Sequence, residues 1–389
     1  MTKTLAKEER GFLRLIFVMM TTSSIVLMEP APYDLLMVVL CFIAFFYGLV
    51  EFNKDHFFPA MLLIIYTLTN LISLYFARDF AQAFSYFLIT VYLAVSWFLF
   101  SGVSSRLHVN LYRYIFSAYL AAAVITVMSG IAAYVQLIPG LDFLLMQGRV
   151  QGFFKDPNVF GPFLVPPALY TLLQLGRRRT RRKMRIVWLC LFVLLSTGVL
   201  LSYSRAAWGQ LVLAIGVFFL LINNGTHKRV QTLFLLLIAA APILIYFVTS
   251  TAVGELFFGR FGLQDYDQTR FQNQENALDN IFRFPLGFGP GQSEIVLDIA
   301  AHSLYIRLIA ENGIFGALSF IGFLVVCLSR SLQLVIKAPP DIQGYFVIIA
   351  ASLIGIIFNS IFIDTIHWRH MWLLLAMPWV RLSTIKSKK

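Results

Sequence analysis

Apolar residues fill blocks of nearly 20 positions along most of the chain, and short polar breaks separate them. About 20 apolar residues make a helix long enough to cross the hydrocarbon core of a bilayer. Such runs fall at 11–29, 33–50, 57–76, 80–101, 111–138, 157–175, 185–203, 206–222, 230–250, 303–328, 344–363 and 368–384. The pattern predicts an all-α polytopic membrane protein of about 12 transmembrane helices. Nine lie in 1–250. A polar loop over 251–301 follows, and 302–389 holds the last three helices and a basic tail. Lys3, Lys7 and Arg10 precede the first run in the manner of a secretory signal, but the EPAPY that follows lacks a small-residue cleavage site, so a retained first span is expected.

Composition agrees: 59% of the 389 residues are hydrophobic and only 13% charged, against roughly half and a quarter in a soluble domain. The formal net charge of +12 raises nucleic acid as a partner, but its distribution argues against one. Much of the charge lies in GRRRTRRKMR (176–185) and in the tail RLSTIKSKK, both beside apolar runs, where basic residues set orientation and meet anionic membrane lipids. With both termini cytoplasmic and twelve spans alternating, 21 of the 31 Lys and Arg fall in or beside inner segments, against 8 in outer loops. That asymmetry supports the topology. It also puts Arg205, the 251–301 loop, His302 and 364–370 at the same membrane face.

The 251–301 loop is the one long polar segment. Residues 268–283 predict a short amphipathic helix, with Phe271, Leu278, Ile281 and Phe282 on one face. Pro285 ends it, and LGFGPG forms a glycine-rich turn. A connector of that length tilts towards function. SYSRAAWG (202–209) interrupts two apolar runs. Its Arg205 reads either as a snorkelling interfacial residue or as an anion ligand, and Arg270 and His302 on the same face favour the ligand. Four prolines in QGFFKDPNVFGPFLVPP (151–167) predict a broken helix. Asp364, His367, Arg369 and His370 read as cavity rim or interfacial anchors.

On a helix starting near Ala301, His302, Ile306, Ile309, Gly313 and Gly316 share one side. Gly313 and Gly316 are expected to admit a neighbouring span. Arg307 and Glu311, four apart, are expected to form a structural ion pair. His302 reads equally as an interfacial histidine and as a catalytic one. Cys41, Cys190 and Cys327 sit in apolar runs as packing residues, and no phosphate loop, dinucleotide fingerprint, zinc spacing or serine-nucleophile elbow is present.

His302-Ser303, nine residues, then Gly313-Ile-Phe-Gly316 resembles the signature of the O-antigen ligase and O-antigen polymerase family. SYSRAAW resembles its arginine-bearing outer turn. GRF (259–261), Arg270 and PLGFGPGQ (285–292) resemble its large periplasmic loop. The similarity covers roughly 150–330. It implies a GT-C-like membrane glycosyltransferase of the bacterial inner membrane, with its active site facing the periplasm and no cofactor or metal. The donor would be an undecaprenyl-diphosphate-linked oligosaccharide. His302 matches the catalytic histidine, Arg205 and Arg270 match the diphosphate-binding arginines, and Arg260 matches more loosely. Glu311 and Arg307 would support the site. Flippase and chain-length regulator proteins are the partners implied. GFFKDPNVFG looks more like the exopolysaccharide polymerase branch than the ligases. A transporter of lipid-linked glycan or another anionic solute is the reading of a different class; it would need the arginines but no base at 302.

Overall fold

The structure, a computed structural model, describes residues 7–107, 109–177, 180–222, 284–296 and 302–381. The described α-helices of seven residues or more are α1 Lys7–Thr21, α2 Pro32–Phe46, α3 Phe57–Ser73, α4 Phe80–Leu107, α5 Val109–Tyr134, α6 Pro157–Phe163, α7 Val165–Gly176, α8 Arg182–Leu201, α9 Arg205–Leu221, α10 Leu304–Lys337, α11 Pro340–Asn359 and α12 Arg369–Ala376. One hairpin, β1 Leu145–Met146 with β2 Arg149–Val150, supplies the strands found among the described residues. Among the described residues, seven segments are long and apolar enough to cross a membrane, and α2 and α9 are shorter apolar helices. The chain is an all-α polytopic membrane protein. Every predicted run meets a helix except 230–250, which lies outside the described residues along with the predicted amphipathic helix at 268–283.

Two compact units emerge. One falls within Met1–Arg14, Met37–Tyr112 and Asp265–Lys389, the other within Leu15–Leu36 and Arg113–Gln264. In the first, α10 packs along α3 and α11, and α12 along α4. Aromatic rings fill the contacts: Tyr66 to Phe320 at 4.7 Å, Trp97 to Phe323 at 5.3 Å and Phe320 to Trp372 at 5.7 Å. In the second, α7 packs on α8 and α6 on α9.

Three departures from regular helix carry the architecture. The proline-rich run breaks at Leu164, between α6 and α7, as its sequence predicts. Pro167 has no N–H for the Phe163 carbonyl one turn earlier, and the buried Tyr119 hydroxyl donates to that oxygen at 2.8 Å.

In the last run, predicted to span over 368–384, the described residues 368–381 are helical only for the eight residues of α12. Pro378 cannot continue the ladder. Carbonyls near the helix end are taken by side chains instead: Trp97 Nε1 and Trp379 Nε1 donate to the Leu375 oxygen at 3.1 and 3.0 Å, and the Tyr112 hydroxyl to that of Met377 at 2.7 Å.

The third departure corrects an expectation. Gly313 does not continue the helix that carries Gly316. At φ 69° and ψ −179° it bends α10, in a region of backbone space that is essentially glycine's alone. A Cβ there would meet the Pro285 carbonyl oxygen, so Gly313 admits a loop rather than a span. Gly316 does admit a span: Thr69 of α3 lies where its side chain would be, with Oγ1 at 2.8 Å. The helix also begins at Leu304 rather than near Ala301, so His302 precedes it.

Gly313→Ala is expected to destabilise the protein by about 1–3 kcal/mol from backbone strain alone, and by more once the loop is displaced. Thermal loss of the monodisperse peak in detergent measures this; a melting point equal to wild type would contradict the bend.

Candidate functional site

His302 is half-buried and sits just ahead of Ser303, the N-cap of α10. A helix start has N–H groups without intrahelical acceptors, and a helix end has carbonyls without donors. Here the two meet. Ser360, at the end of α11, accepts from the Leu304 N–H at 3.0 Å and from Ser303 Oγ at 3.3 Å. The Tyr305 hydroxyl donates to the Ile357 carbonyl at 2.9 Å. His302 is therefore carried on a helix start anchored to its neighbour.

Segment 284–296, the described part of the large loop, is fastened to the same helix. Glu311 Oε2 accepts from the Gly291 N–H at 2.7 Å, and its Oε1 accepts from the Ser293 N–H at 3.2 Å and the Ser293 hydroxyl at 2.6 Å. Just ahead of the bend at Gly313, the carbonyls of Ala310 and Glu311 accept from the N–H groups of Phe288 and Gly289 at 3.0 and 3.1 Å. The loop's other edge meets the start of α4. Gln292 Oε1 accepts from the Asp79 N–H at 2.8 Å, and Gln82 Nε2 donates to the Gly291 carbonyl at 2.9 Å. Gly291, at φ 67°, lies against the Tyr86 ring, where a side chain would not fit.

Arg307 completes the arrangement. Its Nε lies 3.1 Å from Asp364 Oδ2, its Nη1 3.5 Å from Glu311 Oε1 and its Nη2 3.7 Å from Glu294 Oε1. The Tyr86 ring centre is 6.0 Å from the guanidinium carbon, within cation–π range. Arg307 is 8% exposed and Glu311 2%, so neither charge is relieved by water and each depends on the other's side of the network. The expected Arg307–Glu311 pair is present, with two further carboxylates added. A small polar cleft adjoins it, lined among others by Asn70, Tyr86, Asn312 and His367. The buried Oδ1 atoms of Asn70 and Asn312 have no hydrogen-bond partner among the described residues.

Arg205 belongs to the other compact unit. It is half-buried at the first position of α9, directly after the N-cap Ser204, whose hydroxyl accepts from the Ala207 N–H at 3.4 Å. Trp208 Nε1 donates to the carbonyls of Val199 and Leu200, each at 3.2 Å, and so closes the end of α8 against α9. Arg260 and Arg270 lie outside the described residues. Among the described residues, no three His, Cys, Asp or Glu side chains come together as a metal site. Sequence reading did not single out Ser293, Gln292 or Asp79. Gln292 and Asp79 stand 213 positions apart, and no periodicity links them.

The family model for O-Antigen ligase matches residues 190–321. That stretch includes Arg205, the glycine-rich turn, His302, Gly313 and Gly316, and it bears out the resemblance carried by those motifs. No curated protein matches the chain.

Glu311→Gln replaces a two-oxygen acceptor with an amide that cannot serve all three loop donors, while Asp364 and Glu294 still face Arg307. It is expected to cost about 1–3 kcal/mol, the usual consequence of leaving a buried donor without its acceptor. Faster chymotrypsin cleavage at Phe284 or Phe288 would report release of the loop. Wild-type resistance in the glutamine variant would show that the charge does not hold it.

Proposed function

We propose, from the premise that residues 190–321 make this chain a membrane protein of the O-antigen ligase and polymerase family, that it is a glycosyltransferase drawing on an undecaprenyl-diphosphate-linked glycan at the outer face of the bacterial inner membrane. The observation that carries the reading is the fixed helix start bearing His302, with a glycine-rich loop segment locked beside the same helix by Glu311.

The chemistry follows from the residues. An acceptor sugar hydroxyl attacks the anomeric carbon of the donor, the bond from that carbon to the diphosphate oxygen breaks, and undecaprenyl diphosphate leaves with the electron pair. His302 takes the hydroxyl proton, as an imidazole can in general base catalysis. Arg205 and Arg270, with Arg260 in a lesser part, hold the diphosphate oxygens through planar paired hydrogen bonds that strengthen as negative charge develops. In this reading the arginines supply the charge neutralisation, and no metal is required. Glu311 and Arg307 act on the scaffold.

Between the family's two activities we favour polymerisation of repeat units, on the GFFKDPNVFG stretch. The matched family is described only as O-Antigen ligase, which keeps open the other reading, ligation of a finished glycan onto lipid A-core or another acceptor. One gel separates them. In a strain lacking the gene and complemented with His302→Ala, a polymerase leaves single repeats on the carrier and a ligase leaves full-length chains there. Full complementation by His302→Ala would remove the histidine from the chemistry and bring the transporter reading forward.

Arg205→Lys is expected to lower transfer by roughly 10-fold or more, since an ammonium lacks the guanidinium fork and charge-assisted hydrogen bonds contribute about 1.5–3 kcal/mol. Transfer by purified protein measures it, and wild-type rates would reduce Arg205 to an interfacial anchor.

A further inference from the structure

The second compact unit contains a guanidinium that the reading above leaves without a role. Arg149 opens strand β2, and the hairpin is closed by Gln147 and Gly148 at φ 50° and 74°, the left-handed pair that a tight two-residue turn requires. The hairpin delivers Arg149 to two other elements. Its Nε donates to the Ser202 carbonyl at 2.9 Å, and its Nη2 donates to Asn158 Oδ1 at 2.9 Å. Asn158 is itself fixed in the first turn of α6, where its N–H donates to the N-cap Asp156 Oδ1 at 2.7 Å. One planar fork thus ties the start of α6 to the turn between α8 and α9.

That turn is strained. Tyr203 has φ 48°, and a residue with a side chain in this region costs about 1–2 kcal/mol. Such a conformation persists only where its surroundings over-determine it, and they do here. Tyr203 is 5% exposed and its hydroxyl lies 2.9 Å from that of Tyr134. Ser202 Oγ donates to the Val199 carbonyl at 2.6 Å and lies 3.3 Å from the Ser204 N–H. Gly161 of α6 presses against Ser202 and Ala207, leaving no room for a side chain of its own. The two residues after the strained one are the N-cap Ser204 and Arg205. Whatever holds the Ser202 carbonyl therefore sets the direction in which the chain enters α9 and presents Arg205.

We infer that Arg149 is a positioning residue for Arg205: by bridging Asn158 to the Ser202 carbonyl it fixes the left-handed turn that presents Arg205 at the start of α9. The inference rests on the role proposed for Arg205. Lysine cannot substitute, because a single ammonium on a flexible stem does not hold two acceptors in one plane.

A double-mutant cycle on the full-length protein in nanodiscs tests it, with Arg149→Lys, Arg205→Ala and the combination assayed for transfer from the diphosphate-linked donor. Arg149→Lys is expected to raise KM for the donor by roughly 10-fold or more, and to change transfer less than about twofold once Arg205 is already alanine. Losses that multiply in the double variant would overturn the inference. A second readout needs no catalysis: the rate at which a charged methanethiosulfonate labels Arg205→Cys in a background lacking Cys41, Cys190 and Cys327. Arg149→Lys is expected to change that rate several-fold, and an unchanged rate would overturn the inference. If Arg205→Ala transfers normally, the proposed role of Arg205 falls and the labelling rate alone decides on Arg149. Asn158→Ala removes one end of the same bridge and takes the place of Arg149→Lys if that variant is not recovered folded, with the same outcomes expected.

Discussion

A carboxylate buried inside a membrane protein has to be surrounded by donors, and Glu311 is. Isolated charges in a low-dielectric interior are too costly to persist, so its presence constrains everything that supplies those donors. The Gly291 and Ser293 N–H groups must face it, which fixes the path of the loop. Arg307 must stay beside it, and Arg307 in turn holds Asp364 from the segment after α11 and Glu294 from the loop. The glycine-rich turn, the start of α10 and the 364 region are consequently one cooperative arrangement. Loss of Arg307 would leave Glu311 buried without its counter-charge.

The same rule governs the backbone. Within a bilayer every N–H and C=O needs a partner inside the protein, so a helix breaks only where something else takes the freed groups. Tyr119 does so at the proline break, Trp97, Trp379 and Tyr112 do so beyond the short α12, and loop N–H groups bond the carbonyls just before the bend at Gly313. At Gly313 the helix break and the carboxylate latch occupy one place. A side chain at Gly313 would meet the Pro285 carbonyl of the same loop segment that Glu311 holds.

The sequence patterns that could be read were the local ones. Apolar runs mark helices because hydrophobicity is a property of neighbours in the chain, and Arg307 with Glu311 pair because four residues make one turn. Four prolines announced a broken helix. Gly313 was misread as a packing glycine because residue spacing cannot distinguish a glycine that invites a span from one that opens the ladder. The short α12 was overestimated for a similar reason: apolar side chains such as Trp379 and Val380 are equally at home in a buried segment that is not helical. The Glu294 and Asp364 partners of Arg307, and the reach of Arg149 to Ser202, join residues far apart in sequence, and no single-chain periodicity encodes them.

Local charge also separates two arginines that look alike in sequence. Arg307 stands within 4 Å of Asp364, Glu311 and Glu294, so its single positive charge is already exceeded by three carboxylates. A diphosphate brought to that position would meet repulsion rather than attraction. Arg205 stands instead at the first position of α9, at the positive end of the helix dipole. Under the function proposed above, the donor's diphosphate is therefore met at that helix start, and Arg307 serves the scaffold that holds the loop to α10.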